Sequence, residues 1–104
     1  MKLSVVVNAG SATIKLAVFE GRNKKTSQLY DIKHPSDYKR VLGKFLKGIH
    51  PSFFVHRMVH GGNLFRKPIR VNKAVLKRLQ ILDSLAPLHN PVARLAVEVC
   101  IKSF

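Results

Sequence analysis

Apolar and polar positions alternate at the start of the chain. Leu3, Val5 and Val7 share one parity around Ser4 and Val6, and Ile14, Ala17, Val18 and Phe19 resume the apolar pattern after a turn of small residues that includes Gly10 and Ser11. A period near two marks strands, so this stretch predicts two adjacent ones. Gly21 to Ser27 is polar and basic and reads as a loop, with Gln28 to Lys33 a short third strand. The period then changes. Tyr38, Val41, Leu42, Phe45 and Leu46 recur at the spacing of one buried helix face, which Ser36 is placed to cap and Gly48 to end. Phe53 to Val59 is apolar again and predicts a strand that carries His56 and Arg57 toward a Gly61-Gly62 turn. From Asn72, the positions Val75, Leu76, Leu79 and Leu82 predict a second amphipathic helix that stops before Pro87. Asn90-Pro91 opens a third, with Val92, Leu95, Ala96, Val99 and Cys100 as its apolar stripe. Proline at a first helical position has no intrahelical bond to lose.

Strands interleaved with helices predict an α/β fold, and 104 residues suit one domain with one core. The hydrophobic fraction of 46% supports a packed interior and excludes a disordered or fibrous chain. Charge adds an asymmetry: 19 Lys and Arg face five acids, for a formal net charge of +14. Such a field attracts polyanions, whether nucleic acid, anionic membrane or phosphorylated metabolite. The basic residues are spread from Lys2 to Lys102 without a long block, so a solvated, Lys-biased surface ranks above nucleic-acid binding. Cys100 stands alone and can form neither an internal disulfide nor a paired thiolate metal site, which points to a reducing, cytoplasmic setting. Lys2 followed by Leu3 to Val7 imitates the start of a signal peptide, but Asn8, Ser11 and Lys15 interrupt the apolar run. No run is long enough to span a bilayer, so no membrane association is expected.

Three segments could carry chemistry. Asn8-Ala9-Gly10-Ser11-Ala12-Thr13-Ile14-Lys15 sets a carboxamide, two hydroxyls and a lysine around a small turn, where backbone N–H groups can approach phosphate oxygens. It is not the Gly-x-x-x-x-Gly-Lys-Ser/Thr loop, and by itself a simple hairpin explains it equally well. His56-Arg57-Met58-Val59-His60-Gly61-Gly62 presents an arginine able to bind a carboxylate or phosphoryl group through two parallel hydrogen bonds, beside glycines that let a ligand near the backbone. A turn flanked by structural or surface histidines is the plainer reading. Leu85-Ala86-Pro87-Leu88-His89-Asn90-Pro91 ends at a helix start, where free N–H groups favour an anion and His89 stands alongside. A capped helix entry needs no ligand to explain it. His34, His50, His56, His60 and His89 lack a zinc-binding spacing with acids or cysteine.

Taken in order, the three segments resemble the motifs of the acetate kinase family, which read approximately Asn-Ala-Gly-Ser-Ser-Ser-Leu-Lys, His-Arg-Val-Val-His-Gly-Gly and Leu-Ala-Pro-Leu-His-Asn-Pro. Propionate kinases share the pattern. The resemblance implies a partial ribonuclease H-like fold of the actin, sugar-kinase and heat-shock ATPase superfamily. It implies reversible phosphoryl transfer between ATP and acetate or propionate, with magnesium. It places Asn8 at the metal, Lys15 with Ser11 and Thr13 at ATP, Arg57 and His89 at the transferring phosphoryl group, and Arg57, Val59 and Leu88 at the carboxylate substrate. Ala12 and Thr13 stand where the motif has serines, Ile14 where it has leucine, and Met58 where it has valine. The interval from Gly21 to Phe54 is shorter than usual.

Members of the family are several-fold longer. The resemblance therefore implies that residues 1–104 are a truncated N-terminal domain, without the C-terminal nucleotide-binding domain and inactive alone, completed by a missing C-terminal half or by a homodimer. Two further readings accompany it: a noncatalytic basic module that binds nucleic acid or another polyanion, and a decayed gene product.

Overall fold

A computed structural model describes residues 2–57, 69–85 and 90–104. Its elements are β1 (Leu3–Ala9), β2 (Thr13–Glu20), β3 (Asn23–Asp31), α1 (Asp37–Phe45), β4 (Phe53–His56), α2 (Lys73–Ile81), a single 3₁₀ turn (Leu82–Leu85) and α3 (Asn90–Ser103). The strands form one sheet in the order β3-β2-β1-β4. The first three are antiparallel neighbours and β4 runs parallel to β1.

The alternation in β1 and β2 sets the register. Val5 faces Val18 and Val7 faces Leu16, so one-sided apolar residues meet across the ladder and fill the same face. Together with Ile14 they are almost fully buried beneath Val41 and Leu42 of α1 and Ala96 and Cys100 of α3. A slip of one residue would turn all of them to solvent, and this holds the register.

The expected loop from Gly21 to Ser27 is mostly strand. Gly21 and Arg22 alone make the turn, Gly21 in the left-handed region at φ 59°, and β3 pairs with β2 along its whole length. Its side chains are exposed nearly throughout, so no apolar alternation marks it; ladder hydrogen bonds to β2 hold it instead. Tyr30 is its inward anchor, meeting the Phe45 ring of α1 edge-on at 6.4 Å. The strand expected over Gln28 to Lys33 is thus the second half of a longer one that ends at Asp31.

Ser36 does not cap α1 through its side chain, because its backbone is itself helical and its hydroxyl has no capping bond. Asp37 organises the entry from inside the helix. Its Oδ2 accepts from the amides of Lys33 and His34 at 2.9 and 3.0 Å, which holds its carboxyl below the usual carboxylate range. At the other end Gly48 takes φ 77°, as expected of a residue that reverses the chain after a helix. β4 stops at His56, so Arg57 follows the strand rather than lying within it, and Met58 and Val59 lie outside the described residues.

Asn72 caps α2, its Oδ1 accepting from the Val75 amide at 2.9 Å. Val75 and Leu79 form a small cluster of their own with Val71 and Leu76. Arg94 of α3 joins this region to the last helix: it grips Asp83 through two nitrogens, the shorter contact 2.9 Å, and Glu98 at 3.0 Å. Among the described residues no helix is long and apolar enough to cross a membrane.

Candidate functional site

The end of β1 gathers residues from three segments. Asn8 lies opposite Lys15 in the β1–β2 ladder, and opposed residues in such a pair project to the same face. Both are exposed, on the face opposite buried Val7 and Leu16. On the other side of β1, the Arg57 amide donates to the Val7 carbonyl at 3.1 Å, which brings Arg57 beside Asn8 with its side chain exposed. Two cations thus flank a carboxamide across adjacent segments of one sheet.

The turn between β1 and β2 is braced from three directions. The Gly10 amide donates to the Thr13 carbonyl at 2.8 Å, the Tyr38 hydroxyl to the Gly10 carbonyl at 2.6 Å, and the Ile32 amide to the Ala12 carbonyl at 2.7 Å. Closeness rather than handedness favours glycine at position 10, where a Cβ would lie 3.2 Å from the Thr13 carbonyl oxygen. The bond from the Gly10 N–H to Thr13 commits that group to the turn. The planar trans peptide points the Ser11 N–H opposite to the Gly10 carbonyl that Tyr38 holds. Ser11 is exposed and Thr13 half-buried.

Tyr38 was legible only as an apolar position on a helix face. Its ring is buried with 2% of its surface exposed, and burial pushes its phenol pKa up, so the hydroxyl stays protonated as a donor. A tyrosine on a core-facing helix stripe needs a partner for its hydroxyl, and that requirement is the signal that could have found it.

His56 turns to the core side of the sheet, away from Arg57. Its Nδ1 is buried without a hydrogen-bond partner among the described residues, and burial pulls its pKa down to about 4, leaving the ring neutral near pH 7. Cys100 is buried too, its thiol pushed up to about 12, so it is not a poised nucleophile. His89, Leu88 and Val59 lie outside the described residues. The Arg94–Asp83 grip ties together the two segments that flank residues 86–89.

A divalent cation finds limited support in this set. Among the described residues no group of three or more His, Cys, Asp or Glu side chains gathers to hold one. Magnesium favours oxygen donors and commonly takes few from the protein and the rest from phosphates and water. Asn8 fits as one such donor, not as a complete site.

The strand order, the braced first turn and a parallel fourth strand define an α/β domain of the ribonuclease H-like class, the fold of actin, sugar kinases and heat-shock ATPases. The model of the acetokinase family matches residues 49–104, more than half of the chain, and the chain belongs to that family. An acetate kinase of Protochlamydia amoebophila is 30% identical over 137 aligned positions, covering 96% of this chain and 35% of that protein. The crystal structure of the Entamoeba histolytica acetate kinase superposes with a TM-score of 0.80 at 28% identity, over 97% of this chain and 33% of that one. The Porphyromonas gingivalis acetate kinase shares the fold, with a TM-score of 0.81 at 19% identity over 99% of this chain and 35% of that one. The chain therefore spans about a third of the length of the relatives it matches.

Proposed function

We propose that this chain supplies one wall of a phosphotransferase site for transfer between ATP and a short carboxylate, acetate or propionate. The observation that carries the reading is the row Lys15, Asn8, Arg57 at the end of the sheet beside the braced turn. Arg57 holds the carboxylate by paired N–H donors and keeps an oxygen aimed at the γ-phosphorus. That oxygen forms the new O–P bond as the bond from phosphorus to the bridging oxygen of the leaving ADP breaks. Lys15 and the Ser11 amide, with the Ser11 and Thr13 hydroxyls, receive nucleotide phosphate oxygens and hold them while charge spreads over the transferring group. Magnesium bound with the phosphates would neutralise part of that charge, and Asn8 is the side chain placed to join its oxygen shell. His89 would steady the same group, and Val59 and Leu88 would shape the pocket for the substrate's alkyl end.

Lys15, Asn8 and Arg57 act from one side only, and in-line transfer needs nucleotide and acid held on a common axis. The 104-residue polypeptide by itself is expected to form little or no acetyl phosphate. The test is acetyl phosphate formation, followed by phosphorus NMR, with this polypeptide alone and with it replacing the matching third of the Protochlamydia relative. Activity in the chimera that Arg57→Ala and Lys15→Ala each reduce by about a hundredfold or more supports the reading. An active chimera indifferent to both substitutions rejects these assignments, and robust turnover by the polypeptide alone rejects the one-wall description.

A further inference from the structure

The even spread of basic residues along the chain conceals a concentration on one helix face. α1 buries Tyr38, Val41 and Leu42, and from position 39 to 47 the exposed residues are Lys39, Arg40, Gly43, Lys44 and Lys47. Four cations and a glycine make up this face. The one acid of the helix, Asp37, is engaged by the Lys33 and His34 amides and, at 3.5 Å, by Arg40.

Local physics disfavours this composition. Arg40 and Lys44 repel each other across one turn, and Lys39 and Arg40 stand toward the helix start, where the dipole favours anions. Only Lys44 and Lys47, at the far end, suit the dipole. A glycine inside a helix loses more backbone entropy than alanine, and packing does not demand it here. A Cβ at position 43 would meet the Phe104 ring at 3.8 Å, an ordinary contact. A merely solvated face mixes both signs and favours good helix formers.

From these features we infer that the outward face of α1 docks a nucleic-acid duplex along its phosphates, with Gly43 letting the backbone of one strand come close between the cations. At helical rise, positions 39 to 47 span about 12 Å, the axial length of about three or four phosphates on one strand. The face offers no aromatic ring on which an unpaired base could stack, which selects a duplex over a single strand. It offers no apolar anchor for an acidic protein, and the apolar side of α1 is committed to the core and cannot enter a membrane. The surface is separate from the proposed phosphotransfer site. α1 lies over the side of the sheet that buries Val7 and Leu16, and Asn8 and Lys15 project from the other.

The test follows the fluorescence anisotropy of a labelled DNA duplex, and of an RNA duplex of the same sequence, titrated with the 104-residue chain between about 50 and 200 mM potassium chloride. Saturable binding to either duplex is expected, unchanged when the duplex sequence is scrambled. Its log–log salt slope should be about −3 to −4, as for four neutralised phosphates. Lys39→Gln, Lys44→Gln and Lys47→Gln together should weaken it about tenfold or more at the lower salt and bring the slope to about −1. Removing the same charge from the exposed β2–β3 hairpin, by Arg22→Gln, Lys24→Gln and Lys25→Gln, should change affinity by less than about threefold. Gly43→Gln should raise the urea midpoint yet weaken binding several-fold. Four results would overturn the inference: no saturable binding at about 100 mM salt, equal weakening by the two triple variants, binding untouched by Gly43→Gln, or tighter binding to phosphatidylserine vesicles than to either duplex.

Discussion

The two hydrophobic clusters among the described residues differ in kind. The larger is built from residues far apart in sequence: Val5, Val7, Ile14, Leu16 and Val18 of the hairpin meet Tyr38, Val41 and Leu42 of α1 and Ala96 and Cys100 of α3. The smaller holds Val75 and Leu79 with Val71 and Leu76, all within a few residues of one another. Asn8 and Lys15 stand on strands anchored in the first. The 3₁₀ turn that precedes residues 86–89 follows directly on the second, held to α3 by Arg94. Opening free energy follows burial and contact, so the side of the molecule that carries the β1–β2 turn is expected to be rigid and the α2 side to open locally.

That contrast can be broken most directly by matched truncations. Leu42→Ala, at a fully buried position, is expected to cost about 3 kcal/mol and to lower the urea midpoint of the whole domain. Leu79→Ala is expected to cost about 2 kcal/mol and to release amides of α2 in hydrogen exchange while those of β1 and β2 keep their protection. Equal global destabilisation by both would show one cooperative unit.

Acidification probes the edge of the larger cluster through His56. Its folded pKa of about 4 lies below the ordinary 6.5, so between these values the unfolded chain binds a proton that the folded chain does not. Stability therefore falls as pH drops from about 6.5 to about 4, by a total on the order of 3 kcal/mol, and this group causes no further loss below that window. Asp37, its pKa lowered from 3.8, begins to matter only at more acid pH, where its protonation weakens the entry to α1. His56→Leu should flatten the upper window in urea titrations and leave the lower one; an unchanged slope would show that the histidine is not the sensor.

The smallest expected effect sharpens the comparison at the turn. Tyr38→Phe removes one hydrogen bond to Gly10 and should cost about 1 kcal/mol. Exchange of the Ser11 amide should quicken more than that of the α1 amides. Uniform quickening would mean that the hydroxyl supports the helix rather than the turn.

Local periodicity carried much of this fold. β1 and β2 were legible because one face of each is buried and the other is not, and α1 and α3 because their stripes follow the helical repeat. β3 was legible only over its second half, and its first half read as a loop, since its side chains are exposed nearly throughout and it is held by the β2 backbone, which leaves no mark on hydrophobicity. The capping of α1 misread for a related reason: Ser36 and Asp37 both suit a helix start, and the path of Lys33 and His34 decides which is used. For the candidate site, the motifs supplied Asn8, Ser11, Lys15 and Arg57, but nothing local said that Tyr38, 28 residues from Gly10, braces the turn between them.

By itself, then, the sequence determined the α/β class, the hairpin register, the positions of the helices and the family, because alternation, helical spacing and ordered motifs are properties of neighbouring residues. Only the tertiary structure decided that Arg57 stands beside Asn8, that Tyr38 is a strut, that His56 turns to the core side of the sheet and that β4 pairs with β1 rather than with β3. Each of these depends on which distant backbone a residue pairs with or packs against, and no local pattern encodes that choice.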